Sequence, residues 1–247
     1  MAKRDPVLFL CVLCLFLPFP GAYGASIGVT WSGTSGGSWN TAANWTPSDV
    51  PNNGANTFGV TISGSGTSVS LLGGIAIDSL TMNSSTLNMT SGGPNSLTLA
   101  VGPSSLNGAQ IQGGTLTNNG TLTLNAATFN NSVLNNSGTV NATATLNVLS
   151  GALINNNGAS VNVTNGSALQ LETGGTYTNN GTINMGSTGS PTGLLLDAST
   201  SNGAFGGTVT LGGSGSLTLS NSANNLIREQ QSGLTLVNGS DHTIQGA

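Results

Sequence analysis

Lysine and arginine are almost missing from this chain of 247 residues: there are three in all, and Arg228 is the only one after Arg4. Such a chain cannot neutralise a row of phosphates, which excludes nucleic-acid binding through a basic face. Cysteine occurs only at Cys11 and Cys14, so the rest of the chain can form neither a disulfide nor a thiolate metal site. Charged residues make up 4% of the sequence, too few to dress the polar faces of amphipathic helices. Disorder is disfavoured too, because disordered chains are rich in charge and poor in periodic apolar residues, whereas here 36% of residues are hydrophobic and many alternate with Thr, Ser or Asn. An ordered all-β protein is what remains.

Residues 1–25 differ from everything after them. Lys3 and Arg4 precede an apolar run from Val7 to Phe19, and small residues follow from Gly21 to Ala25. This is the pattern of a secretory signal peptide cleaved near Ala25, with a run too short for a comfortable membrane-spanning helix. Neither cysteine follows the small residue that a lipid anchor requires. The expected mature chain therefore has no membrane span, stands outside the cell or at its surface, and carries a net charge of −5 once the signal takes one positive charge from the −4 of the whole chain.

What is abundant is a repeat. Gly175-Thr-Tyr177-Thr-Asn179-Asn180-Gly181-Thr-Ile183-Asn-Met185 has close copies at 114–124, 133–140 and 152–163. In each, a short strand enters an Asn-rich turn, a glycine follows, and a second strand alternates polar with apolar residues. Asn tolerates left-handed backbone and Gly adopts it freely, so these corners are expected to be left-handed turns at Gly120, Gly138, Gly158 and Gly181. Strands and turns recurring about every twenty residues predict a β-solenoid, coil after coil from about residue 57, with some nine or ten coils in the mature chain. Triplets such as Leu80-Thr-Met82, Leu97-Thr-Leu99 and Leu217-Thr-Leu219 place two side chains inward and one outward. Stacked Asn residues are expected to ladder and satisfy their amides structurally.

Residues 26–56 hold all three tryptophans, Trp31, Trp39 and Trp45. An open solenoid end exposes strand edges, and large aromatics there suit a cap; a platform for stacking on sugar rings is the alternative. The pattern Trp-x-Gly…Gly-x-Trp39-Asn-x-x-x-Asn44-Trp45…Val50-Pro51, followed by the Asn-Asn-Gly coils, resembles the start of large secreted bacterial repeat proteins. These include autotransporter-like and filamentous-haemagglutinin-like adhesins and exosortase-sorted surface proteins. The resemblance implies a right-handed parallel β-helix with a Trp-rich N-terminal cap, spanning 57–247 and continuing beyond Ala247, on a bacterial cell surface or in the extracellular matrix.

Chemistry has little material here. Glu172 and Asp197 each follow a Leu-x-Leu strand and lie about one long coil apart, which would set two carboxylates at roughly 5 Å, the separation of a retaining glycosidase. No residue near them in sequence is of a kind to shift one pKa or hold a sugar. The only histidine, His242, falls in the last coil, expected to be frayed. Asn224–Gln231 reads as helix-compatible, with Arg228 and Glu229 as an ion pair on a turn, and the loops at 94–103 and 186–193 are where a solenoid carries partner contacts. No cofactor or metal is expected. The resulting expectation is a structural or adhesin-like module contacting surface glycans or other cell-surface proteins, not an enzyme. A carbohydrate-binding or polysaccharide-degrading β-helix protein is the alternative, and ice binding by outward Thr rows a third reading.

Overall fold

The computed structural model describes residues 26–198 and 206–246, which form strands, turns and one short 3₁₀ segment at Ala42–Asn44, with no α-helix among them. The expected signal peptide lies outside the described residues. No helix among the described residues is long and apolar enough to cross a membrane.

The alternating Thr/Leu and Asn/Val segments become strands because β-branched and apolar side chains fit a pleated, half-buried surface. Every strand except Trp45–Thr46 pairs in parallel with its counterpart on a neighbouring turn, which makes the fold a parallel β-solenoid. The first sheet has eleven strands, running from Ser26–Trp31 through Thr57–Ser63 and Ser79–Asn83 to Thr243–Gly246. The second sheet, of fifteen strands, bends into two faces. One face includes Ser68–Ser70, Gln110–Gln112, Ala168–Glu172, Thr192–Asp197 and Asn225–Glu229; the other includes Gly74–Ile77, Thr115–Asn118, Thr176–Asn179 and Leu234–Asn238. Thr128–Asn136 and Asn147–Asn155 cross the corner between them at a bulge beside Asn131, whose φ is 50°. Inward residues such as Leu80, Met82, Leu97, Leu122 and Val161 line one continuous core along the axis.

Turn length varies widely. Thr121 pairs with Thr139, eighteen residues on, whereas Thr182 pairs with Ser216, thirty-four residues on. The variation is absorbed at the corners, so strand register is preserved while loops grow.

The three tryptophans pack at the N-terminal end. Trp31 and Trp39 both meet Trp45 edge to face, with ring centroids 5.0 and 4.8 Å apart. The Trp39 Nε1–H donates to Pro51 O at 3.0 Å and the Trp45 Nε1–H to Trp39 O at 2.7 Å. Trp45–Thr46 pairs antiparallel with Ser26–Trp31 and covers the outer edge of the first sheet, which blocks strand addition there. The solenoid itself starts earlier than residue 57: Ser26–Trp31 already pairs in parallel with Thr57–Ser63.

A ladder of four fully buried asparagines runs through one corner. Asn118 Nδ2 donates to Asn136 Oδ1 at 2.8 Å, Asn136 to Asn155 at 2.8 Å, and Asn155 to Asn179 at 2.7 Å. The amide nitrogens also donate to backbone carbonyls, including Gly120 O, Gly138 O and Thr182 O, which fixes the polarity of the ladder. The turn after Asn179 places Gly213 and Gly215 against the Asn179 and Gly181 carbonyls at this corner, and His242 from the following turn meets the Asn179 amide at 3.0 Å. His242 is therefore not frayed: it is only 4% exposed.

Two further expectations change. Gly120, Gly138 and Gly181 do not adopt left-handed backbone; Gly158 does, at φ 80°. At Gly181 the constraint is space, since a Cβ there would collide with Ala159 O of the preceding turn, and at Gly138 with Gly120 O. Asn225–Glu229 is not helical but an outer rung of the second sheet, paired with Thr192–Asp197. The Glu229 carboxylate accepts from Leu234 N at 3.0 Å rather than pairing with Arg228.

Candidate functional site

Along most of the second sheet's first face, outward positions carry uncharged polar side chains, as in the register columns Ser68–Thr86–Gln110–Thr128 and Ser70–Asn88–Gln112–Asn130. The last three rungs break this pattern. Ala168, Gly193 and Leu226 form one outward column, and Gln170, Leu195 and Arg228 a second. A third begins with Glu172 and Asp197 and continues to Gln230, whose N–H donates to Leu196 O at 2.8 Å. Leu194 and Leu196 belong to the axial core cluster, whereas Leu195 lies outside that cluster on the other side of the strand and is nonetheless covered, only 5% exposed.

These small and apolar outward residues form a groove of about 530 Å³. Ala168 and Gly193 give it a low floor; Leu146, Leu195, Leu226 and Pro191 wall it; Arg228 and Gln230 stand at its margin. Pro191 and Ser190 come from the 186–193 loop, so that loop does shape the groove. Among the described residues Arg228 has no ion-pair partner.

Glu172 and Asp197 are direct register partners on adjacent rungs, so equivalent backbone positions lie about 4.8 Å apart. Their surroundings are those of fold residues. Asp197 Oδ2 accepts from Gln170 Nε2 at 3.0 Å and Oδ1 from Ala198 N at 2.8 Å. The Glu172 main chain is clasped by Tyr177, whose hydroxyl accepts from Glu172 N at 2.8 Å and lies 2.8 Å from both Glu172 O and Leu149 O. Burial above all, helped by the nearby Glu172 charge and opposed by the backbone hydrogen bond, pushes the Tyr177 hydroxyl well above its ordinary pKa. It remains a neutral phenol that ties two turns together rather than a proton donor for chemistry.

The rings of Trp31, Trp39 and Trp45 are buried against one another and the first turns. Covered faces cannot stack on a sugar, so the platform alternative does not suit these three side chains. Among the described residues no group of three His, Cys, Asp or Glu side chains could hold a metal ion.

The carboxylate pair was legible in sequence from two matching Leu-x-Leu-acid endings, but the groove was missed. Its signal was present in Leu194-Leu195-Leu196, where a Leu occupies the outward place that Thr or Asn takes in other triplets. Comparison with protein-family models, with curated proteins and with solved structures finds no match for this chain.

Proposed function

We propose that this chain is a secreted or surface-exposed structural module, an adhesin-like stalk or passenger with no catalytic site of its own. The observation that carries the reading is the outward side of the first sheet. From Thr61 and Thr81 through Ser105, Thr123, Asn141, Asn162 and Asn184, one register column bears only hydroxyls and amides. Asn162 donates to Asn141 at 2.9 Å and Asn184 to Asn162 at 2.9 Å. A rod with a neutral, self-satisfied surface stays extended outside the cell without disulfides or metals and presents its irregular rungs to partners. The signal-like opening supports export, and N-terminal sequencing of protein recovered from the medium or cell surface is expected to start near Ser26. Recovery of full-length protein from the cytoplasm alone would sink that part of the reading.

A second reading, a carbohydrate-active or carbohydrate-binding β-helix, is favoured by the in-register Glu172–Asp197 pair. A reducing-sugar assay and a glycan array on residues 26–247 separate the two. The structural reading expects no hydrolysis of any polysaccharide in a broad panel. Release of reducing ends that Glu172→Gln abolishes would overturn it.

A further inference from the structure

We propose that the groove on the last three rungs is a binding site for an amphipathic carboxylate, a ligand with an aliphatic body and one anionic end. An outward surface in a β-solenoid faces water, and elsewhere on this face its columns are built from Ser, Thr, Gln and Asn with Val148 as the exception. Here Leu195, folded over Gly193 and only 5% exposed, and the half-buried Leu226 lie on the outward side of their strands beside Leu146, which is 39% exposed. Neither the core nor the pairing of strands requires these leucines, because Leu194, Leu196 and Ile227 already supply the inward contacts of the same strands. Apolar walls around a concave floor suit a hydrocarbon body.

The charged end is set by Arg228. It is the one cation in the sequence beyond the first 25 residues, it sits in register beside Leu195, and it has no ion-pair partner among the described residues. A guanidinium presents two parallel N–H donors that match a carboxylate. Asp197, on the neighbouring rung, accepts from Gln170 Nε2 and Ala198 N and forms no ion pair with Arg228. Gln230 at the same margin offers a further donor. The volume of about 530 Å³ accommodates a chain of several carbons.

The test uses octanoate and, as its uncharged counterpart, octanol, titrated into residues 26–247 and followed by amide chemical shifts. Octanoate is expected to shift saturably the amides of Gly193, Leu195, Leu226 and Arg228. Arg228→Gln, a surface change, is expected to weaken octanoate about fivefold or more while leaving octanol unaltered. Leu226→Ser is expected to weaken both. Absence of shifts in the groove overturns the proposal, as does octanoate binding to Arg228→Gln with unchanged affinity. A response confined to octanol overturns the carboxylate assignment.

Discussion

The Asn179 side-chain amide meets His242 Nε2 at 3.0 Å, and His242 Nδ1 lies 2.6 Å from Asn238 Oδ1. The two contacts fix one tautomer. Asn179 Nδ2 also donates to Ser216 O, and Asn238 Nδ2 donates to His242 O, so the imidazole accepts at Nε2 and donates from Nδ1. Four asparagine amides, each pointing its donor toward the C-terminal end, thus discharge onto one neutral histidine.

That arrangement makes the last turns sensitive to acid. Protonating Nε2 sets an N–H against the Asn179 amide, and burial alone accounts for a folded pKa below the ordinary 6.5. The side chains that meet the ring nitrogens are Asn179 and Asn238, both neutral, with Asp241 beside it in sequence. The unfolded chain binds the proton more readily, so this contribution to stability is complete above pH 6.5 and declines as the pH falls through the folded value. Amide protection factors of 234–246, corrected for the intrinsic pH dependence of exchange, are expected to fall below pH 6, and His242→Phe is expected to flatten that dependence. Unchanged protection from pH 8 to pH 5 in the parent would show that the ring is not buried as an acceptor.

The ladder should be weakest at its first rung. Asn118 sits beside Leu99 in register, and its Oδ1 is buried with no hydrogen-bond partner. Asn136, by contrast, accepts from Asn118 and Gly138 and donates to Asn155, Gly138 O and Ser160 O. An unmade hydrogen bond at a buried polar group costs roughly 1–3 kcal/mol. Asn136→Leu is therefore expected to destabilise by about 2 kcal/mol more than Asn118→Leu in urea unfolding, since Asn118→Leu removes one unsatisfied oxygen as it breaks the chain.

Two corner glycines separate crowding from backbone strain. A Cβ on Gly158 would meet nothing within 4 Å, so Gly158→Ala carries only the cost of left-handed backbone, about 1–2 kcal/mol. At Gly181 the backbone is not left-handed, but a Cβ would drive into Ala159 O and Asn156 O. Gly181→Ala is expected to be the more damaging of the two and Gly181→Val worse still, as read from melting of residues 26–247. Equal melting of the two alanine variants would mean that the turns do not approach so closely.

The cap predicts unequal tryptophans. Trp39 is fully buried and hydrogen-bonded, and Trp39→Ala is expected to cost about 3–5 kcal/mol. Trp31 buries an Nε1–H with no partner, so Trp31→Phe removes an unsatisfied donor, which offsets part of the packing lost with the smaller ring. Denaturant titration should find Trp31→Phe within about 1 kcal/mol of the parent. A loss comparable to that of Trp39→Ala would show that the Trp31 indole has a partner after all.

Much of the architecture was open to reading from the chain alone. Alternation of Leu or Val with Thr or Asn has a period of two, which decides strand over helix and assigns Leu80 and Met82 inward with Thr81 between them. The spacing of Asn-Gly corners made those strands into coils, and the concentration of Trp at one end marked a cap. The scarcity of Lys and Arg already removed whole classes of partner.

Register between turns was decided only by the folded structure, because turns differ from eighteen to thirty-four residues and no local rule tells how a corner absorbs the excess. Register is what sets Glu172 beside Asp197 and Arg228 beside Leu195, and it is what brings His242 to Asn179 across sixty-three residues. The glycine at the Asn-Gly corner shows the same division. The sequence reading expected glycine for its left-handed freedom, whereas at Gly181 it is required because the carbonyl of a neighbouring turn occupies the place a side chain would take.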